Sequence, residues 1–319
     1  MKAVLAREYG PPDRLKVEDV DKPIPQDDEV LIRVHAAGLN ALNYLLLNGT
    51  LLFRPFFGMK RPKDPRVGAD VAGVVEAVGR NVTSFKPGDE VFGVARGAIA
   101  EFACAPADKI ALKPTNASFV EAAAIPVAAL TALQGLRDKA HLERGQNVLI
   151  NGASGGIGTY AVQIAKWMGA DVTGVCSAKN VELVRSLGAD NVIDYSRDDF
   201  VKSAERYDVF ADIIGNRSLS DCRSVIKPKG TFLNIGVKEK RRLIPRLLGI
   251  LALSPFVSQN LGLFMAKMTT ADLNVLKELY ESKHVASVID RTYPLSEAPQ
   301  ALSYLKQGHA RGKVVIAIR

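Results

Sequence analysis

The run VLINGASGGIG over residues 148–158 passes from an apolar stretch straight into Gly152, Gly155, Gly156 and Gly158. Glycines so spaced let backbone N–H groups approach a pyrophosphate closely and aim a helix N-terminus at it, the chemistry of dinucleotide binding. Ala153 stands where the first glycine of the usual fingerprint would be, so the pattern reads AxGGxG. The same residues would also serve a tight strand–helix turn without a ligand. Context favours the ligand, because a strand precedes, a helix follows, and a second strand ends about twenty residues on. At that strand end stand Cys176, Ser177, Ala178, Lys179 and Asn180. No carboxylate is there to hold an adenosine ribose 2′-hydroxyl, and Lys179 is basic. That favours a 2′-phosphate, hence NADPH over NADH. The alternative is that Ser177 and Lys179 cap and solvate the next helix.

Metal and thiol chemistry find less support. Cys104, Cys176 and Cys222 are the three cysteines, far apart and without a CxxC pair. Three thiols cannot build a four-cysteine zinc lobe or a disulfide framework. A reducing compartment, taken as cytoplasmic, fits that usage. The 42 Lys and Arg against 34 Asp and Glu leave a formal charge of +8, spread without an aromatic–basic module. No nucleic-acid partner is expected.

The elements that must position these residues follow from the texture of the 319-residue chain. It is 47% hydrophobic and 24% charged, the composition of a globular protein of about two domains. Residues 1 to about 120 read as short strands broken by Gly and Pro, a β-barrel-like pattern. Examples are residues 29–36, where Val30, Ile32 and Val34 alternate, and residues 71–78, interrupted by Gly73. Beyond residue 118 the pattern changes. Residues 121–136 read as a helix kinked at Pro126. Strands at 147–151, 171–175, 191–194, 209–214 and 231–235 then alternate with helices at 157–168 and 181–187. That spacing predicts a parallel, doubly wound sheet. The end, from residue 271, contains two helices and strands near 287–291 and 314–318, which return to the first domain. We therefore expect a β-rich domain of residues 1–120 and 266–319, split by an inserted α/β domain of residues 121–265.

The N-terminus, MKAVLAREY, lacks the apolar core of a signal peptide. Residues 247–266 carry no charge but include Pro255, Ser258, Gln259 and Asn260, which argues against a membrane span. They are expected to form an apolar helix and loop, packed inside or at a subunit contact. The basic Lys238, Lys240, Arg241 and Arg242 just before them leave surface membrane contact as a lesser alternative to a solvated loop.

These features converge on a known family. GLNALN (38–43), GADVAGVVEAVG (68–79), FKPGDEVFG (85–93), EAAAIPVAALTAL (121–133), NGASGGIG (151–158), LGADNVIDY (187–195) and GHARGKVVI (308–316) span nearly the whole chain. Together they resemble the zinc-independent quinone oxidoreductases of the medium-chain dehydrogenase/reductase superfamily. The GHARGK ending narrows the resemblance to the branch of reticulon-interacting mitochondrial and chloroplast-envelope homologues. The resemblance implies a GroES-like β-barrel catalytic domain holding an inserted Rossmann domain, with the cofactor in the cleft between them. It implies Ser154, Gly155, Gly156 and Ile157 as the pyrophosphate loop, and Ser177, Lys179 and Tyr195 as the 2′-phosphate and adenosine pocket. Gly236, Phe264, His309, Ala310 and Arg311 match further cofactor positions, though His309 alone would equally be a surface histidine.

Zinc alcohol dehydrogenases carry Cys and His-Glu where this chain has Asn40, Ala69 and Asp70, so no zinc site is expected. Related quinone reductases often have Asp at the place of Asn43, and the nearest phenol here is Tyr44. Asn40 and Tyr44 are the catalytic candidates, Asn40 to hold a carbonyl or the nicotinamide and Tyr44 to supply a proton, with a structural amide and solvent as the respective alternatives. Leu- and Phe-rich residues 45–57 would offer an apolar acceptor surface or ordinary core. The expected activity is NADPH-dependent reduction of quinones or other conjugated carbonyls by a homodimer. A zinc-free alcohol or aldehyde reductase and a non-catalytic NADPH-binding regulator are the alternatives.

Overall fold

Val30, Ile32 and Val34 are buried along an eleven-residue strand whose side chains are mostly enclosed, and that strand organises the first part of the molecule. The computed structural model describes residues 1–47, 54, 58–236 and 240–319. The chain divides into two units, Met1–Leu130 with Met268–Arg319, and Thr131–Lys267.

In the first unit, β1 (Lys2–Leu5), β2 (Lys16–Asp19), β3 (Glu29–Leu39), β4 (Asp70–Val78), β5 (Glu90–Val94), β6 (Phe102–Pro106) and β7 (Ile110–Leu112) come from the leading segment. Helix α1 (Ala41–Leu47) follows β3 directly. Then come α2 (Phe119–Ala123), closed by a Ser118–Glu121 capping box, and α3 (Pro126–Gln134). The helix expected to kink at Pro126 is therefore two helices. Proline cannot continue α2 but is preorganised for a first helical turn, so the break falls just before it.

The second unit carries the alternation that the glycine loop requires. Its strands are β8 (Asn147–Asn151), β9 (Asp171–Cys176), β10 (Asn191–Asp194), β11 (Tyr207–Asp212), β12 (Ile226–Asn234) and β13 (Asn260–Leu263). Its helices are α4 (Gly156–Trp167), α5 (Val181–Ser186), α6 (Leu219–Ser224) and α7 (Lys240–Leu253). All strand pairings are parallel, in the order β10-β9-β8-β11-β12-β13. In that doubly wound Rossmann order the chain reverses between β8 and β11, where ligands bind outside the strand ends. Leu149, Val175, Phe210, Phe232 and Leu261 fill the core on this sheet, each contributing about 1.5–3 kcal/mol by burial. One expectation needs correcting here. Residues 247–266 do not follow the last strand as a helix and loop: they end α7 and then supply β13, a sixth strand beside β12. Lys238 and most of residues 45–57 lie outside the described residues or their described side chains. No helix among the described residues is long and apolar enough to cross a membrane.

The C-terminal segment returns to the first unit with α8 (Thr270–Glu281), β14 (Ile289–Pro294), α9 (Ala298–Lys306) and β15 (Lys313–Ala317). β15 pairs antiparallel with the end of β3, Val314 opposite Leu39. The order is β14-β15-β3-β4-β5-β7, with β6 also on β3. Among the described residues these pairings form an open path. The short β1 and β2 pair with each other and reach the remainder through isolated bridges such as Ala3–Ala100.

Candidate functional site

The second unit gathers most of the expected cofactor residues. Gly152 leaves β8 with φ +93°, a conformation that favours glycine. A Cβ at Gly158 would strike the Gly152 carbonyl oxygen, so the turn closes only around a bare backbone. Gly155 is the N-cap of α4 and supplies no side-chain cap, leaving the first N–H groups at Gly156 and Ile157 for an anion. Ser154 and Ser177, from the loop after β8 and the end of β9, are brought together by Asn180, which sequence reasoning had passed over. Its Nδ2 donates to Ser154 Oγ at 3.0 Å and to Ser177 Oγ at 3.2 Å. Lys179, in the same turn, is exposed. Tyr195 is 57% exposed and its backbone N–H donates to the Cys176 carbonyl, which sets it beside the end of β9. No acidic side chain occupies positions 176–180.

Gly236 donates its N–H to the Asp212 carbonyl at 3.1 Å, and a Cβ there would collide with the Ile213 carbonyl. Phe264 follows β13 and lies against Gly135. The strand ends between them are braced by a buried network. Asp212 Oδ1 accepts from Asn151 Nδ2 and from the Gly215 N–H, both at 2.9 Å. Arg246, from α7, donates to Asp212 Oδ2, to Asn234 Oδ1 at 2.5 Å and to the Arg217 carbonyl at 2.7 Å. Nothing in the sequence pairs residues 212 and 246; only the fold does.

The first unit holds the remaining candidates. Asn40 follows β3, and its amide is held on both sides: Oδ1 accepts from Lys313 Nζ at 2.6 Å, and Nδ2 donates to Asp70 Oδ2 at 2.9 Å. Its N–H also donates to Asn43 Oδ1 at 2.8 Å. Lys313 Nζ donates further to Asp70 Oδ2 at 3.2 Å and to the Leu39 carbonyl at 3.0 Å, and Asp70 Oδ1 accepts from the Val127 N–H. The ion pair is closed to water, with side chains 2% and 0% exposed. Burial pushes the Asp70 carboxyl up and the Lys313 ammonium down, and their mutual attraction opposes both shifts. Tyr44 lies on α1 with the Lys306 ammonium 5.7 Å from its ring centre. His309 and Arg311 are exposed in the loop between α9 and β15, while Ala310 packs on the core. The structure thus groups Asn40 with Asn43, Asp70 and Lys313, and leaves Tyr44 in a separate contact.

This donor set does not fit zinc. Asn40 offers an amide already engaged twice, Ala69 offers no ligand atom, and the Asp70 carboxylate carries Lys313. Among the described residues no group of three His, Cys, Asp or Glu could hold a metal. Burial raises the thiols to about 11 for Cys104 and Cys176 and about 12 for Cys222, so none is a thiolate at neutral pH. The residues around the glycine loop, in contrast, fit a dinucleotide, with a cradle that a Cβ would fill and a buried Asn180 Oδ1 without a partner.

Residues 26–115 match the alcohol dehydrogenase GroES-like domain, and residues 187–316 match a zinc-binding dehydrogenase family. The chain is 35% identical to a chloroplastic quinone-oxidoreductase homolog of Spinacia oleracea over 328 aligned positions, covering 96% of this chain and 95% of that protein. It is 34% identical to the 2-methylene-furan-3-one reductase of Solanum lycopersicum, covering 99% and 79%. Among solved structures, a quinone oxidoreductase from Coxiella burnetii superposes with a TM-score of 0.86 at 30% identity, covering 100% of this chain and 99% of that one.

Proposed function

The chain belongs to the medium-chain dehydrogenase/reductase superfamily, and on that premise we propose that it is a zinc-independent, NADPH-dependent reductase of quinones or other conjugated carbonyls. The observation that carries this reading is the Asn40–Asp70–Lys313 cluster, which ties up the side chains that would otherwise face a metal. A simple aldehyde needs a Lewis acid or a strong proton donor at its oxygen to accept hydride readily; a quinone or enone is activated by its own conjugation. Both relatives named above for their activity, the spinach and tomato proteins, are named for acceptors of that kind.

Bound NADPH would supply the hydride. The chain's part is to hold and orient it. Ser154, Gly155, Gly156 and Ile157 bind the pyrophosphate at the uncapped start of α4. Ser177, Lys179 and Tyr195 take the 2′-phosphate, and Gly236, Phe264, His309, Ala310 and Arg311 complete the contacts. Asn40 has one Nδ2 hydrogen left after Asp70 takes the other, enough to hold one carbonyl oxygen. Tyr44 is the proton donor of this reading. Residues 1–120 with 266–319 form its catalytic domain and 121–265 its cofactor domain. Two copies pair through the outer edge of β13, and Ile244, Leu248 and Leu251 of the neighbouring α7, with Phe256 just after it, leave apolar surface exposed. A cytoplasmic setting completes the proposal.

The deciding experiment follows NADPH and NADH consumption with a quinone, an enone and a simple aldehyde. Turnover of quinone or enone with NADPH is the expected result. Turnover of the aldehyde alone would favour an alcohol or aldehyde reductase, and tight NADPH binding with no turnover would favour a regulator. Light scattering at micromolar concentration tests the dimer.

A further inference from the structure

Asn180 has no role in the reaction proposed above, yet its side-chain amide ties Ser154 of the glycine loop to Ser177 at the end of β9. It closes the turn Ala178–Asn180 and is 5% exposed. An amide nitrogen carries two hydrogens, and a serine hydroxyl carries one. Both Nδ2 hydrogens go to the oxygens of Ser154 and Ser177. Neither serine proton can then point at Asn180, and no acceptor for either hydroxyl occurs among the described residues. Meanwhile Asn180 Oδ1 is buried without a partner. The reversed amide would be worse, because it would bury two unpartnered N–H groups instead of one unpartnered carbonyl. Buried polar groups are nearly always satisfied, so a turn that leaves this one unpaired is answering to something other than stability.

We infer that Asn180 is a positioning residue that holds the Ser154 and Ser177 hydroxyls as a pair of outward donors to phosphate oxygens, Ser154 for the pyrophosphate and Ser177 for the 2′-phosphate. The inference rests on the NADPH reading above and deepens it: one amide sets the proton direction at two phosphate subsites. A carboxylate of the same shape would do the reverse. Asp at position 180 can only accept, so both hydroxyl protons would turn inward, the serine lone pairs would face the phosphates, and a like charge would stand behind them.

The test measures equilibrium binding of NADP⁺, NAD⁺ and 2′,5′-ADP to the full chain, independent of turnover. The proteins are the parent, Asn180→Asp, Asn180→Ala, Ser177→Ala and the Asn180→Asp/Ser177→Ala double variant, each checked by thermal melting. A hydrogen bond to a charged group is worth about tenfold or more. Asn180→Asp should therefore weaken NADP⁺ by about a hundredfold or more, and NAD⁺, which loses the Ser154 donation alone, by about tenfold. Ser177→Ala should add little in the Asn180→Asp background, because that proton has already turned away. Binding of 2′,5′-ADP to Asn180→Asp should recover relative to the parent as pH falls and the new carboxyl takes a proton; a collapsed turn would not recover. If Asn180→Asp does not fold, Asn180→Ala reads the same quantity, with NADP⁺ weakened more than NAD⁺. Parent-like NADP⁺ binding by a folded Asn180→Asp, while Ser177→Ala weakens it, would overturn the inference and leave the cofactor pocket standing. A parent that binds neither dinucleotide would overturn the cofactor reading itself, and this inference with it.

Discussion

Replacing Lys313 by Met keeps an unbranched side chain, one atom shorter, and removes its ammonium from a site that water does not reach. Three acceptors each lose a donor at once: Asp70 Oδ2, Asn40 Oδ1 and the Leu39 carbonyl. Asp70 keeps the Asn40 amide and the Val127 N–H, but its charge is left buried without a countercharge. Breaking a buried pair by removing one partner costs about 3–5 kcal/mol. At roughly 2–4 °C per kcal/mol for a folding unit of this size, the first unit should melt about 6–20 °C lower. The loss should depend on pH in a definite direction. Burial already holds the Asp70 carboxyl above its unfolded value, and without Lys313 it rises further. A raised acid contributes stability that is present below the unfolded value and lost as pH rises through the folded one. Lys313→Met should therefore fall further below the parent as pH rises. Asp70→Asn should show the opposite slope, since it strands a lysine already pushed down by burial, and that contribution is lost as pH falls. The double variant should recover most of either loss, with a nearly flat profile. Calorimetric melts of all four proteins from about pH 5 to 8 read these slopes. A Lys313→Met melt within about 2 °C of the parent at neutral pH, or parallel slopes for the two single variants, would refute the reasoning.

Four further outcomes are expected. Lys179→Ala should weaken NADPH by about tenfold and leave NADH nearly untouched, while Ser177→Asp should shift preference toward NADH, both read as kcat/KM with one quinone. Gly158→Ala should cost about 1–3 kcal/mol in melting and weaken dinucleotide binding, because its methyl meets the Gly152 carbonyl. His35 is held below its ordinary value by burial and by the Arg33 and Arg319 cations. Its contribution should therefore be lost as pH falls below about 6.5, and His35→Gln should melt with a shallower acid slope than the parent. Elemental analysis of active protein should find no stoichiometric zinc; tightly held zinc that survives mild chelation would contradict the donor set at Asn40, Ala69 and Asp70.

The parts of the molecule legible in the sequence were those whose signal is local. The glycine loop, the strands at β8, β9 and β11 and the missing carboxylate after β9 each declare themselves within a few residues. β13 did not, because four residues inside an uncharged run show no period of their own, and only pairing with β12 makes them a strand. The first unit was legible only as a class: short strands reveal alternation but not which strand pairs with which. Pro126 showed that a helix would be disturbed without showing whether it would bend or stop. Asp70 drew notice as a lost zinc ligand, yet its partner Lys313 is 243 positions away. Asn180 was visible but carried no signature, since its chemistry depends on two serines, one of them 26 positions earlier.

The pairing of β3 with β15 also sets an order of events during synthesis. The second unit is one continuous stretch of chain and has all its strands in hand once residue 267 has emerged. The first unit does not. The edge of β3 over Ala36, Ala37, Gly38 and Leu39 waits for Val314 to Ala317, near the very end of the polypeptide. At about 5–20 residues per second, that edge stays bare for roughly 14–55 s after it is made. A nascent chain stalled or cut before residue 313 would present an unpaired, apolar strand edge, the kind of surface that recruits chaperones or seeds aggregation. The corner that carries Asn40 is thus the last to be built, however early its residues are translated.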